Sequence, residues 1–150
     1  MLGYMKIFGM LILPLLLALV ACDGASDKGT GTVNTINLSD WERKMHVTFP
    51  AGTRTLGLRV APGMDDAAYL KVSMPVQAWG KFLEESPVDS QDLDNAKRFF
   101  LGDDNDWWDP GKPAKLPTAQ ATLPNGSVIN LGVDLSGVTE ATVYLMWYER

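Results

Sequence analysis

The chain has one cysteine, Cys22, and one histidine, His46, in 150 residues. A single cysteine excludes an intrachain disulfide, so the fold must be held by packing. One histidine and one cysteine are too few for the three or four His and Cys ligands of a zinc site, so no metal is expected there. A catalytic triad needs a histidine beside a nucleophile and an orienting carboxylate, and nothing near His46 supplies them. No Gly-x-Ser-x-Gly and no phosphate-cradling glycine pattern occurs, so no catalytic residue and no cofactor are expected. Positive charge is also short: 13 Lys and Arg stand against 18 Asp and Glu, a net of −5. Such a surface excludes nucleic acid as a natural partner. The longest apolar run, residues 7–20, falls short of the roughly 20 residues that cross a bilayer.

That run has its own meaning. Lys6 precedes it, only Gly9 and Pro14 interrupt it, and it ends at Leu19-Val20-Ala21-Cys22. A weakly basic start, an apolar core of this length and a small residue before a cleavage point read as a secretory signal rather than a spanning helix. The four residues at its end resemble the lipobox of bacterial lipoproteins. The resemblance covers the first 22 residues and implies that Cys22 carries a thioether-linked diacylglycerol, that residues 1–21 are removed as a signal peptide, and that the new amino terminus is acylated. Two or more acyl chains anchor a protein stably where one does not. It further implies a place in the bacterial cell envelope, with the membrane as a partner through the lipid. In a Gram-negative host, Asp23 directly after the cysteine resembles the signal that retains a lipoprotein on the periplasmic face of the inner membrane.

Residues 22–32 follow as lipidated Cys and tether: Gly24, Ala25, Ser26, Gly29, Thr30 and Gly31 leave nothing large to bury. Such a segment reaches roughly 15 to 20 Å from the bilayer. Without residues 1–21, whose one charged side chain is Lys6, the net charge becomes −6. The remaining length suits a single domain, placed at 33–150.

Within it, periodicity predicts an α+β fold, mainly antiparallel β: a small sheet or sandwich with one or two short helices between strands. Asn37 to Trp41 reads as a turn or short cap. Met45, Val47 and Phe49 alternate with Lys44, His46 and Thr48 as in a half-buried strand, which places His46 facing outward. After Pro50-Ala51-Gly52, Leu56, Leu58 and Val60 alternate again, so the two runs read as a hairpin. Ala68, Leu70 and Val72 make a third strand beyond Pro62-Gly63. The period then lengthens: Val76, Trp79, Phe82 and Leu83 fit a short helix ending before Pro87. A second helix runs from Ser90 through Leu93, Ala96, Lys97 and Phe100, with Gly102 as its stop. Two strands flank Asn125-Gly126, the strongest short hairpin signal. The last strand, Ala141 to Tyr148, is apolar on both sides, which predicts a central position.

Residues 103–117 are irregular, and loops of this length in a compact domain are often functional. From Glu84 to Asp109 nine acids face only Lys97 and Arg98, a local net of −7. Calcium could use several oxygens of Asp103, Asp104, Asn105, Asp106 and Asp109, but Trp107 breaks the spacing of a calcium loop, and solvated or capping carboxylates are the simpler reading. The candidate partner-facing surface is Trp107, Trp108, Asp104, Asp106 and Asp109. Neighbours in an extended segment point opposite ways, so one ring is expected to pin the loop while the other stays available; the plainer expectation is that both roof the core. Two functions fit. The preferred one is a non-enzymatic binding or accessory domain for another envelope protein. The alternative is a carbohydrate-active or hydrolytic domain, with paired carboxylates as acid and base and Trp rings stacking on sugar.

Overall fold

The strand that is apolar on both sides, β5 (Glu140–Tyr148), sits in the middle of a five-stranded antiparallel sheet in the order β1-β2-β5-β4-β3. Its neighbours are β2 (Ala67–Pro75) and β4 (Val128–Asp134), and the edges are β1 (Arg54–Ala61) and β3 (Thr118–Thr122). The computed structural model describes residues 37–61 and 66–150; the signal segment, Cys22, Asp23 and the expected tether lie outside them. The fold is α+β, a single sheet carrying short helices. No helix among the described residues is long and apolar enough to cross a membrane.

Register lines up rows of side chains across all five strands. Leu58, Leu70, Leu145, Leu131 and Ala119 are successive partners and share the first face. Val72, Met74, Val143, Val133 and Ile129 extend that face into a buried core. Each such aliphatic side chain contributes about 1.5–3 kcal/mol by leaving water. Met45 and Val47 cover it from one segment and Phe82 from another, with Phe49 stacked on Phe82 at 5.7 Å. Phe82 belongs to α2 (Trp79–Glu84), which continues a 3-10 turn at Val76–Ala78.

The adjacent row, Gly57, Lys71, Tyr144, Gly132 and Thr118, faces the other way. A second, smaller cluster of Leu101, Trp108, Leu116 and Tyr144 packs there. The first face is therefore covered by the helix over residues 38–45, α2, Val88 and Leu93, and much of the second by Leu101, Trp108 and Leu116.

Three expectations are corrected. Residues 38–45 form α1 (Leu38–Met45), not a cap leading into a strand. Asn37 Oδ1 accepts from Ser39 N–H at 3.2 Å as the N-cap, Asp40 sits in the first turn, and Arg43 and Lys44 sit in the last. His46 is left-handed (φ 53°), and Val47 N–H reaches back to Glu42 O at 3.1 Å. This turn throws His46 outward between buried Met45 and Val47, which imitates strand alternation. His46 is exposed as expected, but as a helix cap. Second, β1 pairs with β2 rather than with residues 45–49, and a bulge between Thr55 and Gly57 shifts its register. As an edge strand it leaves Leu56 44% and Val60 51% exposed. Third, the second helix is two 3-10 turns, Ser90–Asp92 and Asn95–Leu101. Asp94 interrupts them because its backbone exchanges two 3.0 Å hydrogen bonds with Thr118. Gly102 ends the second turn as expected.

Candidate functional site

The loop after Gly102 is fastened to the sheet at several points. Trp108 is fully buried; its ring meets Tyr69 at 5.2 Å and Tyr144 at 5.4 Å, both edge to face. Its Nε1 donates to Leu101 O at 3.0 Å. Trp107 is half-buried and lies over Gly57, where a β-carbon would come 2.3 Å from the ring. The two indoles touch edge to face at 5.8 Å, so both roof the same sheet face. A tight turn makes this geometry: Asn105 and Trp108 exchange backbone hydrogen bonds of 2.6 and 2.7 Å, with Asp106 in a left-handed conformation (φ 28°) between them. Chain neighbours flanking such a turn need not point to opposite sides. With its amide turned to accept, Asn105 also receives both Arg59 Nη groups at 3.2 Å, and Arg59 covers the Tyr69 ring at 4.5 Å.

The acids of this loop divide by what they touch. Asp109 pairs with Lys71, both about one-seventh exposed, and accepts from Tyr144 Oη at 2.8 Å; Lys112 lies 3.0 Å away. Lys71 also donates to Trp107 O at 3.0 Å. Burial pushes the Asp109 carboxyl up, but hydrogen bonds from Lys71, Lys112 and Tyr144, with the Lys71 charge, outweigh it and hold the group at about 2. Burial, reinforced by the Asp109 hydrogen bond and charge, pushes the Tyr144 hydroxyl well above its ordinary value. Neither group is poised to exchange a proton near neutrality. Asp104 accepts from Gly111 N–H at 2.7 Å and closes the loop. Asp103 and Asp106 are exposed. The structure thus places Trp108 and Asp109 inside the domain rather than on a partner-facing surface, and leaves Asp104, Asp106 and one side of Trp107 toward solvent. Among the described residues, no three His, Cys, Asp or Glu side chains converge in a metal-holding group.

A different surface is open, at the end of the second sheet face that the loop does not reach. A groove of about 510 Å³ runs there beside Phe99, Phe100, Met146 and Tyr148. Its floor is satisfied: Gln120 Nε2 donates to Asn130 Oδ1 at 2.8 Å, and Asn130 Nδ2 donates to Phe100 O at 2.8 Å. Phe99 is 70% exposed, with its ring 4.3 Å from that of Phe100. Helical periodicity groups Phe100 with Leu93, Ala96 and Lys97 and does not place Phe99. The signal available was the aromatic doublet itself, since two adjacent large rings on a short helical turn are hard to bury together.

Compared with known protein families, curated proteins and solved structures, the chain matches none.

Proposed function

We propose that the protein is an envelope lipoprotein, anchored through Cys22, whose domain is a non-enzymatic accessory module that docks another envelope protein at the Phe99–Phe100 groove. The observation that carries this reading is the 70% exposure of Phe99 beside a groove whose polar floor is already hydrogen-bonded. Such a floor asks nothing of a ligand, so an apolar side chain can enter without leaving a polar group unpaired. Aromatic anchors of this kind dominate binding energy at protein interfaces. Among the described residues, the one charged side chain lining the groove is Arg150, which fits a partner with an apolar knob and an acidic rim. The lipobox resemblance supports the location, and the short tether keeps the domain near the bilayer.

The experiment is site-specific photo-crosslinking from position 100 in membranes carrying the native protein, in otherwise wild-type and Phe99→Ala chains. One discrete adduct is expected, lost with Phe99→Ala at an unchanged melting temperature. The same adduct formed from Val138, which is 93% exposed and outside the groove, or an adduct indifferent to Phe99, rejects the groove as the docking site.

A further inference from the structure

On the first sheet face, at the same end of β5, α1 and the strand close a cleft of about 680 Å³. Its aromatic walls are Trp41 from α1 and Trp147 from β5. The ammonium of Lys44 stands over both indoles, 5.2 Å from the Trp41 ring and 5.4 Å from that of Trp147. An ammonium over an indole face is attracted by the ring quadrupole, and tryptophan is the strongest such partner. Carboxylates from Asp40, Asp66 and Glu149 line the same cleft, with Arg43 as its other cation. Asp40 pairs with Arg43. The two rings therefore converge on one positive charge, at present supplied by a flexible and exposed side chain.

We propose that this cleft is a binding site for a small organic cation, an alkylammonium or quaternary ammonium compound, whose place Lys44 occupies in the free protein. With Lys44 swung out, two indole faces lose their cation while the exposed Glu149 carboxylate still lines the cleft, so a monovalent ammonium restores the charge that leaves. An anion would face the negative faces of both rings and the Glu149 carboxylate. A neutral sugar would displace the lysine and leave its charge uncompensated. The site lies across the sheet from the Phe99 groove, and nothing in it depends on how that groove is used.

The test is calorimetric titration of choline chloride, against matched sodium chloride, into the full chain held in polyoxyethylene detergent, which carries neither ammonium nor sugar. Saturable binding is expected. Lys44→Gln removes the resident cation and should tighten binding severalfold, whereas Trp41→Ala should weaken it roughly tenfold through loss of one indole. Glu149→Gln, at an exposed position, should weaken it too, and stands in for the tryptophan variant if that chain does not fold. No saturation with wild type or Lys44→Gln up to about 50 mM overturns the proposal, since affinity would then be below any useful range. So does unchanged affinity in Trp41→Ala or Lys44→Gln. Saturation by maltose but not by choline makes the cleft a sugar site instead.

Discussion

Gly57 on β1 lies directly beneath the indole of Trp107: a β-carbon at position 57 would stand 2.3 Å from Cε3 and 2.5 Å from Cδ2 of that ring. The edge strand and the loop thus meet at a point where no side chain other than hydrogen fits. Gly57→Ala is expected to cost about 1–3 kcal/mol, as overpacking does. Adding Trp107→Ala removes the clash, so the double variant should lose less than the sum of the two single losses. Urea midpoints of the four chains measure this, and simple additivity would show that the ring does not rest on residue 57.

Asp109 links acidity to stability. Its folded pKa of about 2 lies below the ordinary 3.8. The stabilisation is therefore complete above about pH 4 and is lost as pH falls toward 2, a contribution of about 2 kcal/mol. Asp109→Asn should flatten unfolding free energy over that window relative to wild type. At neutral pH it should also destabilise by about 3 kcal/mol, because Lys71 is left largely buried without its counter-ion. Parallel acid slopes in the two chains would remove Asp109 from this role.

The adjacent tryptophans should separate in cost. Trp108→Ala empties a fully buried site and leaves Leu101 O without its indole donor, so a loss of about 3–5 kcal/mol is expected. Trp107→Ala exposes Gly57 but opens no enclosed cavity, and about 1–2 kcal/mol is expected. Equal losses by thermal melts would contradict the different burial of the two rings.

For the anchor, Cys22→Ala should leave an uncleaved precursor that takes up no labelled fatty acid. In a Gram-negative host, Asp23→Ser should shift the protein from inner to outer membrane fractions on a density gradient. A cleaved, membrane-extracted Cys22→Ala chain would refute lipidation, and an unmoved Asp23→Ser chain would refute the sorting signal.

What could be read from the sequence was set by neighbours along the chain. The β3–β4 hairpin follows from Asn125-Gly126 between apolar runs; Gly126 takes φ +87°, and Ser127 N–H donates to Asn125 Oδ1 at 3.1 Å. The central place of β5 follows from apolar residues at every position from Val143 to Tyr148, since a strand buried on both faces must have strands on both sides. Residues 38–49 were harder, because alternation of Met45, Val47 and Phe49 fits a strand as well as it fits a helix closed by left-handed His46. The deciding contacts are Glu42 with the backbone of Val47 and Phe49, the latter at 2.7 Å.

The candidate surfaces lay further out of reach. The acids and tryptophans of the loop look available in sequence because, apart from Lys112 beside Asp109, the side chains that hold them lie far along the chain. Lys71, Tyr144 and Gly57 reach them only when β1, β2 and β5 lie side by side. In the same way Trp41 and Trp147 line one cleft, and Phe99 and Tyr148 one groove, only in the folded sheet. Sequence by itself determined the turns, the strand periods and the apolar character of β5, because those depend on backbone preferences and burial patterns within a few residues. Tertiary structure alone decided which charges are paired and which aromatics are exposed, because a side chain's exposure is set by whatever distant segment comes to lie over it.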